Sequence, residues 1–352
     1  MDYYINKNIK VTKRVFPEQD RYHYYRYDMN ENPEGLPVEF VNSVLKEITP
    51  EFLSIYPEQD RFLNKYAKYI GARYENVLAT NGSDMAIRYI LETFGEEGKE
   101  VVTVSPSFEM YWVNCSLLGL KHVPVSYNED LTIDVNKIID AINVDTRIVV
   151  LLNPNNPLGN VYSEEELKAI LSKTKSVGAI LVIDEAYHYF YDKTFLRYAL
   201  SEENVIVLRT FSKLMSLAAC RIGIIISNPQ IINYIKTLRL TFDVNAIALL
   251  FAEKIIDNPQ LIDRLIQIEK EGKEYFVNNL KYRHYDFIIC KGNFILVRTK
   301  SNPLIVAERL KTEKHILVHP YNNSLLKGYI RVSTGSVAAM KIFADSFFDI
   351  DS

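Results

Sequence analysis

From about Gly71 to Ser227 the chain alternates short, β-branched apolar runs with longer helical patterns, and few folds accommodate that alternation. Val101 to Val104, Ile148 to Leu152, Ile180 to Ile183, Val205 to Leu208 and Ile222 to Ile226 read as strands. Each is almost wholly apolar, as a strand covered on both faces has to be. Ser163 to Lys173 opens with Ser163 and Glu166 in capping-box spacing, then places Leu167, Ile170 and Leu171 on one helical face. The expected architecture is α/β: a large lobe around a mainly parallel, doubly wound sheet.

A chain of 352 residues exceeds what one ordinary core holds, so a second, smaller lobe is expected. The pattern changes after Asn228 to helices through Ile231 to Ile256 and Leu261 to Leu280. Short strands near Phe287, Phe294 to Val297 and Tyr329 to Val332 follow, with a helix around Ile305 to Lys311. We expect residues 30–240 to form the large domain, and 1–29 with 241–352 to form an N-terminal arm and a small α+β domain. No low-complexity tether separates them, so a continuous helix is expected to join the lobes.

Apolar residues make up 48% and charged residues 24%, a soluble globular balance. The net charge of −3 comes without a basic stripe, which argues against nucleic acid as a partner. Cys115, Cys220 and Cys290 form no CxxC pair, so neither a disulfide framework nor a metal site is expected. The first residues lack the apolar core of a secretory signal, and no apolar run reaches membrane-spanning length. A cytoplasmic location fits these features.

In open α/β sheets a ligand sits beyond the carboxyl ends of the strands, and five such places carry compatible chemistry. Asp184, with Tyr187 close behind, ends a very apolar strand; alone it would cap a helix, but it could also pair with a protonated pyridine nitrogen. Arg209-Thr210-Phe211-Ser212-Lys213 follows another strand. A lysine among Phe211, Leu214 and Met215 is costly to charge unless its pKa falls or it forms an imine. Ser212 and Arg221 offer donors for a phosphate. Asn81-Gly82-Ser83-Asp84 precedes a helical pattern, and free amides at such a start bind phosphate, although the same loop can be a simple turn and cap. The Pro- and Asn-rich turn from Asn153 to Gly159 could hold the Asn156 amide toward a ring hydroxyl, and Ser105 to Tyr111 offers an aromatic for stacking.

In their order along the chain these segments resemble the fold-type I pyridoxal 5'-phosphate (PLP) aminotransferases of class I/II, and among them the histidinol-phosphate aminotransferase subgroup. The resemblance runs from Asn30-Glu31-Asn32-Pro33 through Tyr56-Pro57, the NGSD loop, NPNNPLG, Asp184 to Tyr187 and RTFSK to Arg331. It implies an aspartate-aminotransferase-like fold and a PLP-dependent transferase. By resemblance, Lys213 forms the Schiff base with PLP and shuttles a proton; Asp184 pairs with the ring nitrogen; Tyr187 and Asn156 bond the phenolic oxygen; Phe108 stacks on the ring. Gly82, Ser83, Asp84, Ser212 and Arg221 hold the phosphate, with Tyr56 supplied by the partner of a homodimer. Arg331 clamps a substrate carboxylate and Asn32 lines the same pocket. The partners implied are small-molecule amino donors and acceptors, with glutamate as donor.

The chain departs from the subgroup at Met85, where a glutamate is usual, at His319, where an arginine is usual nearby, and at Phe242, where a tyrosine is usual. Losing the arginine fork and the phenol would weaken contacts to a substrate phosphate by about 1–3 kcal/mol each if buried. A partly charged His319, Arg26 or Lys327 could stand in, and His319 reads equally well as a surface histidine. The substrate is accordingly histidinol phosphate, another small phosphorylated amine or amino alcohol, or an aromatic amino acid. Two rival readings remain: a PLP decarboxylase resembling the threonine-phosphate decarboxylases, and a non-catalytic protein that keeps the fold.

Overall fold

The structure, a computed structural model, describes residues 3–14 and 16–352. A seven-stranded sheet forms its centre, in the spatial order Val77–Asn81, Ile222–Ser227, Val205–Thr210, Ile180–Asp184, Thr146–Leu152, Glu100–Ser105, Lys121–Ser126. All five expected strands are present. Ile222–Ser227 is antiparallel to both of its neighbours, and the remaining strands run parallel.

The apolar runs are explained by which way alternate residues point. Val149, Leu151, Leu181, Ile183, Val205 and Val207 face one core, while Ile148, Val150, Leu152, Val182, Ile206 and Leu208 face another across the sheet. Strands whose side chains alternate between two dry layers have no polar face to show. Gly82–Phe94, Met110–Leu118 and Pro229–Leu238 cover the second face, and Asp60–Tyr69, Glu164–Val177 and Ala246–Ile256 the first. The apolar stretch Ile231 to Ile256 is two helices, because Asn245 starts a new one by accepting the amide of Ala248 on its side chain (2.8 Å).

The smaller sheet is antiparallel, ordered His319–Pro320, Tyr329–Ser333, Phe294–Arg298, Phe287–Ile289. Ile295, Val297, Ile330 and Val332 enter a separate core with Phe276, Phe343 and Phe347, whereas Phe294 and Leu296 belong to the larger core. Its two faces therefore bind the two lobes together. Arg331 lies between Ile330 and Val332, so strand alternation aims it away from the small core and toward the large lobe. The helix Pro259–Tyr282 crosses between the lobes: Leu261, Ile262 and Leu265 sit in the larger core, Phe276, Val277 and Leu280 in the smaller.

Candidate active site

The carboxyl ends of three adjacent strands converge, and the segments leaving them carry the chemistry. Asp184 is the last residue of Ile180–Asp184 and is buried. Its Oδ2 accepts the Tyr111 hydroxyl at 2.7 Å and its Oδ1 the Ala186 amide at 3.0 Å. Burial outweighs these two bonds and raises the carboxyl to about 6, above the ordinary aspartate range.

Lys213 is half-buried in the loop after Val205–Thr210. Its Nζ donates to the Met29 carbonyl at 2.9 Å and lies 5.8 Å from the centre of the Tyr187 ring. Desolvation and then the positive charge of Arg331 lower its pKa to about 8. A lysine held this way releases its proton near neutral pH and becomes a nucleophile.

Tyr187 is buried, packed edge-on against Phe294 at 5.4 Å, and its hydroxyl accepts the Asn30 side-chain amide at 2.8 Å. Burial raises the phenol to about 12. Arg331 Nη1 donates to Asn156 Oδ1 at 2.5 Å and Nη2 to the Asp28 carbonyl, while its Nε is buried without a partner among the described residues. Asn156, in the turn that follows Thr146–Leu152, is thereby drawn to the same place as Lys213 and Tyr187.

At the next strand ends the helix Gly82–Phe94 begins. Gly82 has φ +76°, and a Cβ there would meet the Arg221 guanidinium at 2.3 Å; a Cβ on Gly223 would meet the Ser83 amide nitrogen at 2.6 Å. Only glycines allow strand, helix start and arginine to approach this closely. Arg221 pairs with Asp84 at 3.0 Å, and the Ser212 hydroxyl accepts that of Thr210 at 3.0 Å. Phe108 is half-buried against the second core.

Three of the singled-out residues lie differently. Asn32 donates to the Ser216 hydroxyl at 2.7 Å, bracing the loop that follows Lys213. Tyr56 is 73% exposed and stacks at 4.3 Å on Phe242, itself 50% exposed. His319 is exposed on its short strand and meets Tyr321 edge-on at 4.8 Å; partial desolvation of the ring and then the Arg331 charge hold its pKa below the ordinary histidine range. Sequence reasoning passed over Tyr111, which lies in the aromatic run but one helical turn beyond Phe108, and Asn30, two residues before Asn32 in the same motif.

A family profile described as Aminotransferase class I and II matches residues 29–347. A histidinol-phosphate aminotransferase from a Thermoanaerobacter species is 32% identical over 319 residues, 90% of each chain. Another from Clostridium novyi is 31% identical over 337 residues, 94% of this chain and 92% of its own. The structure of histidinol-phosphate aminotransferase from Sinorhizobium meliloti in complex with pyridoxal-5'-phosphate superposes with a TM-score of 0.89 at 21% identity, covering 99% of this chain and 98% of that one. The chain belongs to the class I and II aminotransferase family and has the aspartate-aminotransferase-like fold that the sequence resemblance implied.

Proposed function

We propose that the chain is a PLP-dependent aminotransferase that moves an amino group between glutamate and a small phosphorylated keto or aldehyde acceptor, histidinol phosphate being the kind of amine that such a transfer yields. The observation that carries this reading is the pairing of opposite pKa shifts at neighbouring strand ends: an acid raised to about 6 and an amine lowered to about 8. Perturbed titrations of this kind mark acid–base sites. The residues also fit the cofactor, because the glycine-lined helix start beside Arg221 suits a phosphate and the unpartnered Nε of Arg331 suits an anion.

Bound PLP supplies an electron sink. Lys213 Nζ would hold the cofactor and take the proton from the substrate α-carbon. Asp184, steadied by Tyr111, would supply the negative charge for the ring nitrogen. Tyr187 and Asn156 would offer a hydroxyl and an amide to the phenolic oxygen, and Phe108 a face for the ring. Gly82, Ser83 and Asp84 with Ser212 and Arg221 would receive the phosphate. Arg331 exchanges the Asp28 carbonyl for a substrate carboxylate, and Asn32 shapes the pocket wall through Ser216.

In the same reading residues 30–240 are the cofactor lobe, and 1–29 with 241–352 the arm and smaller lobe, the helix Ala246–Ile256 packing back on the larger core. The exposed Tyr56–Phe242 stack supports a homodimer in which Tyr56 completes the neighbour's site. Among the described residues no helix is long and apolar enough to cross a membrane. The three free cysteines support a cytoplasmic enzyme.

The test is a half-reaction panel on PLP-loaded protein with glutamate, histidinol phosphate and small amino-alcohol phosphates. Glutamate is expected to bleach the visible band and yield 2-oxoglutarate, and histidinol phosphate to bleach it too. Carbon dioxide released without 2-oxoglutarate would replace this reading with a decarboxylase.

A further inference from the structure

The larger lobe buries one ion pair that the roles above leave unused. Glu185 is fully buried and Arg209 nearly so. Arg209 Nε and Nη2 both donate to Glu185 Oε2, at 3.1 and 2.9 Å, and Nη2 also donates to the Thr194 hydroxyl at 2.9 Å. Glu185 Oε1 accepts the Phe195 amide at 2.7 Å, and its carboxylate accepts the Thr194 hydroxyl at 2.8 Å. The carboxylate thus has donors on both oxygens. A buried pair costs desolvation, and replacing such a pair with apolar groups is often neutral or stabilising. Its presence calls for a reason other than stability.

The reason lies in where the two residues stand. Glu185 directly follows Asp184; Arg209 is four residues before Lys213 on the adjacent parallel strand, whose Leu208 carbonyl accepts the Glu185 amide at 2.8 Å. The bonds to Thr194 and Phe195 close the segment 185–195, which contains Tyr187. One charged knot therefore fixes three segments at once: the acid's strand end, the tyrosine's loop, and the strand feeding the lysine.

We propose that Glu185 and Arg209 are positioning residues that set the placement of Lys213 relative to Asp184 and Tyr187. The inference rests on the PLP reading above. The groups facing the pair are Tyr66 from the helix Asp60–Tyr69, and His188 and Tyr189 from the turn after Tyr187. Burial, and then the charge of Arg209, keep His188 well below the ordinary histidine range, so at neutral pH it adds no competing cation. Tyr66 and Tyr189 are both raised, burial being the main cause in each, so the surrounding phenols stay neutral.

Glu185→Gln/Arg209→Met removes both charges while leaving an acceptor for Phe195 and Thr194. It is compared with the unaltered protein by thermal midpoint, by the pH midpoint of the visible PLP band, by kcat and KM for glutamate, and by amide exchange of the apoprotein. The expected result is a thermal midpoint little changed, faster exchange over 186–194 and 211–216, and a shifted band midpoint. kcat should fall roughly 100-fold, the order that a small misplacement of reacting groups costs, with KM changed far less. If the double variant does not fold, Arg209→Lys is read in the same assays: it keeps the charge but not the planar fork, and the band midpoint and kcat should still move. A folded variant of either kind with unaltered kcat and band midpoint overturns the proposal. An unaltered protein with no PLP band would instead overturn the functional reading.

Discussion

Asp184 and Tyr56 stand at opposite extremes of burial. Asp184 is buried, bonded through both oxygens and shifted in pKa; Tyr56 lies in the open against a half-exposed Phe242. The floor is built from strand ends whose positions the sheet dictates, and each side chain there is pinned by a neighbour. The rim is built from loops and exposed rings with few partners inside this chain. A site divided in this way keeps its chemistry while its substrate changes, because only the floor is locked into the core.

That contrast orders the expected effects of substitution. The largest is on the floor: Lys213→Ala should lower single-turnover bleaching by glutamate by roughly 10²–10⁴-fold, the range a positioned acid–base group contributes. Unchanged bleaching would move the proton shuttle elsewhere. Next comes the boundary between floor and rim, where Arg331→Lys keeps the charge but loses the fork, so KM for glutamate should rise roughly 10- to 100-fold with kcat less affected. At the rim itself, Phe242→Tyr restores a phenol that can reach a phosphate. It should lower KM for histidinol phosphate by about fivefold, as one added hydrogen bond of about 1 kcal/mol does, and leave glutamate unaffected.

The smallest effect is on stability and has a sign set by linkage. Lys213 has a folded pKa of about 8 against an ordinary 10.5, so its charge penalises the fold fully below pH 8 and the penalty fades as pH rises toward 10.5. Apoprotein Lys213→Met should therefore melt a few degrees above the unaltered apoprotein at pH 7, with the gap narrowing above pH 8. A gap constant with pH would detach the effect from the titration.

The same division governs what the sequence discloses. Strands such as Thr146–Leu152 are legible because both faces are dry, and the residue that follows each is then placed at the ligand end of the sheet. Lys121–Ser126 escaped notice because it is an edge strand, with Pro124 and polar residues between its apolar ones. Val77–Asn81 escaped because only Val77 and Leu78 are strongly apolar, and Ala79, Thr80 and Asn81 run straight into the NGSD loop. Tyr111 reaches Asp184 across 73 residues of chain, and Arg209 reaches Glu185 across 24, contacts with no local pattern. Asn30 rather than Asn32 donates to Tyr187, and which of two asparagines in one motif does so is not revealed by the motif.

The most direct test of the whole account is chemical trapping. The protein is incubated with PLP, reduced with borohydride and digested, and the modified lysine is located by peptide mass. The account predicts the pyridoxyl group on Lys213 and its loss from that peptide in Lys213→Ala. A label on another lysine, such as the half-buried Lys273, or no label at all, would contradict it.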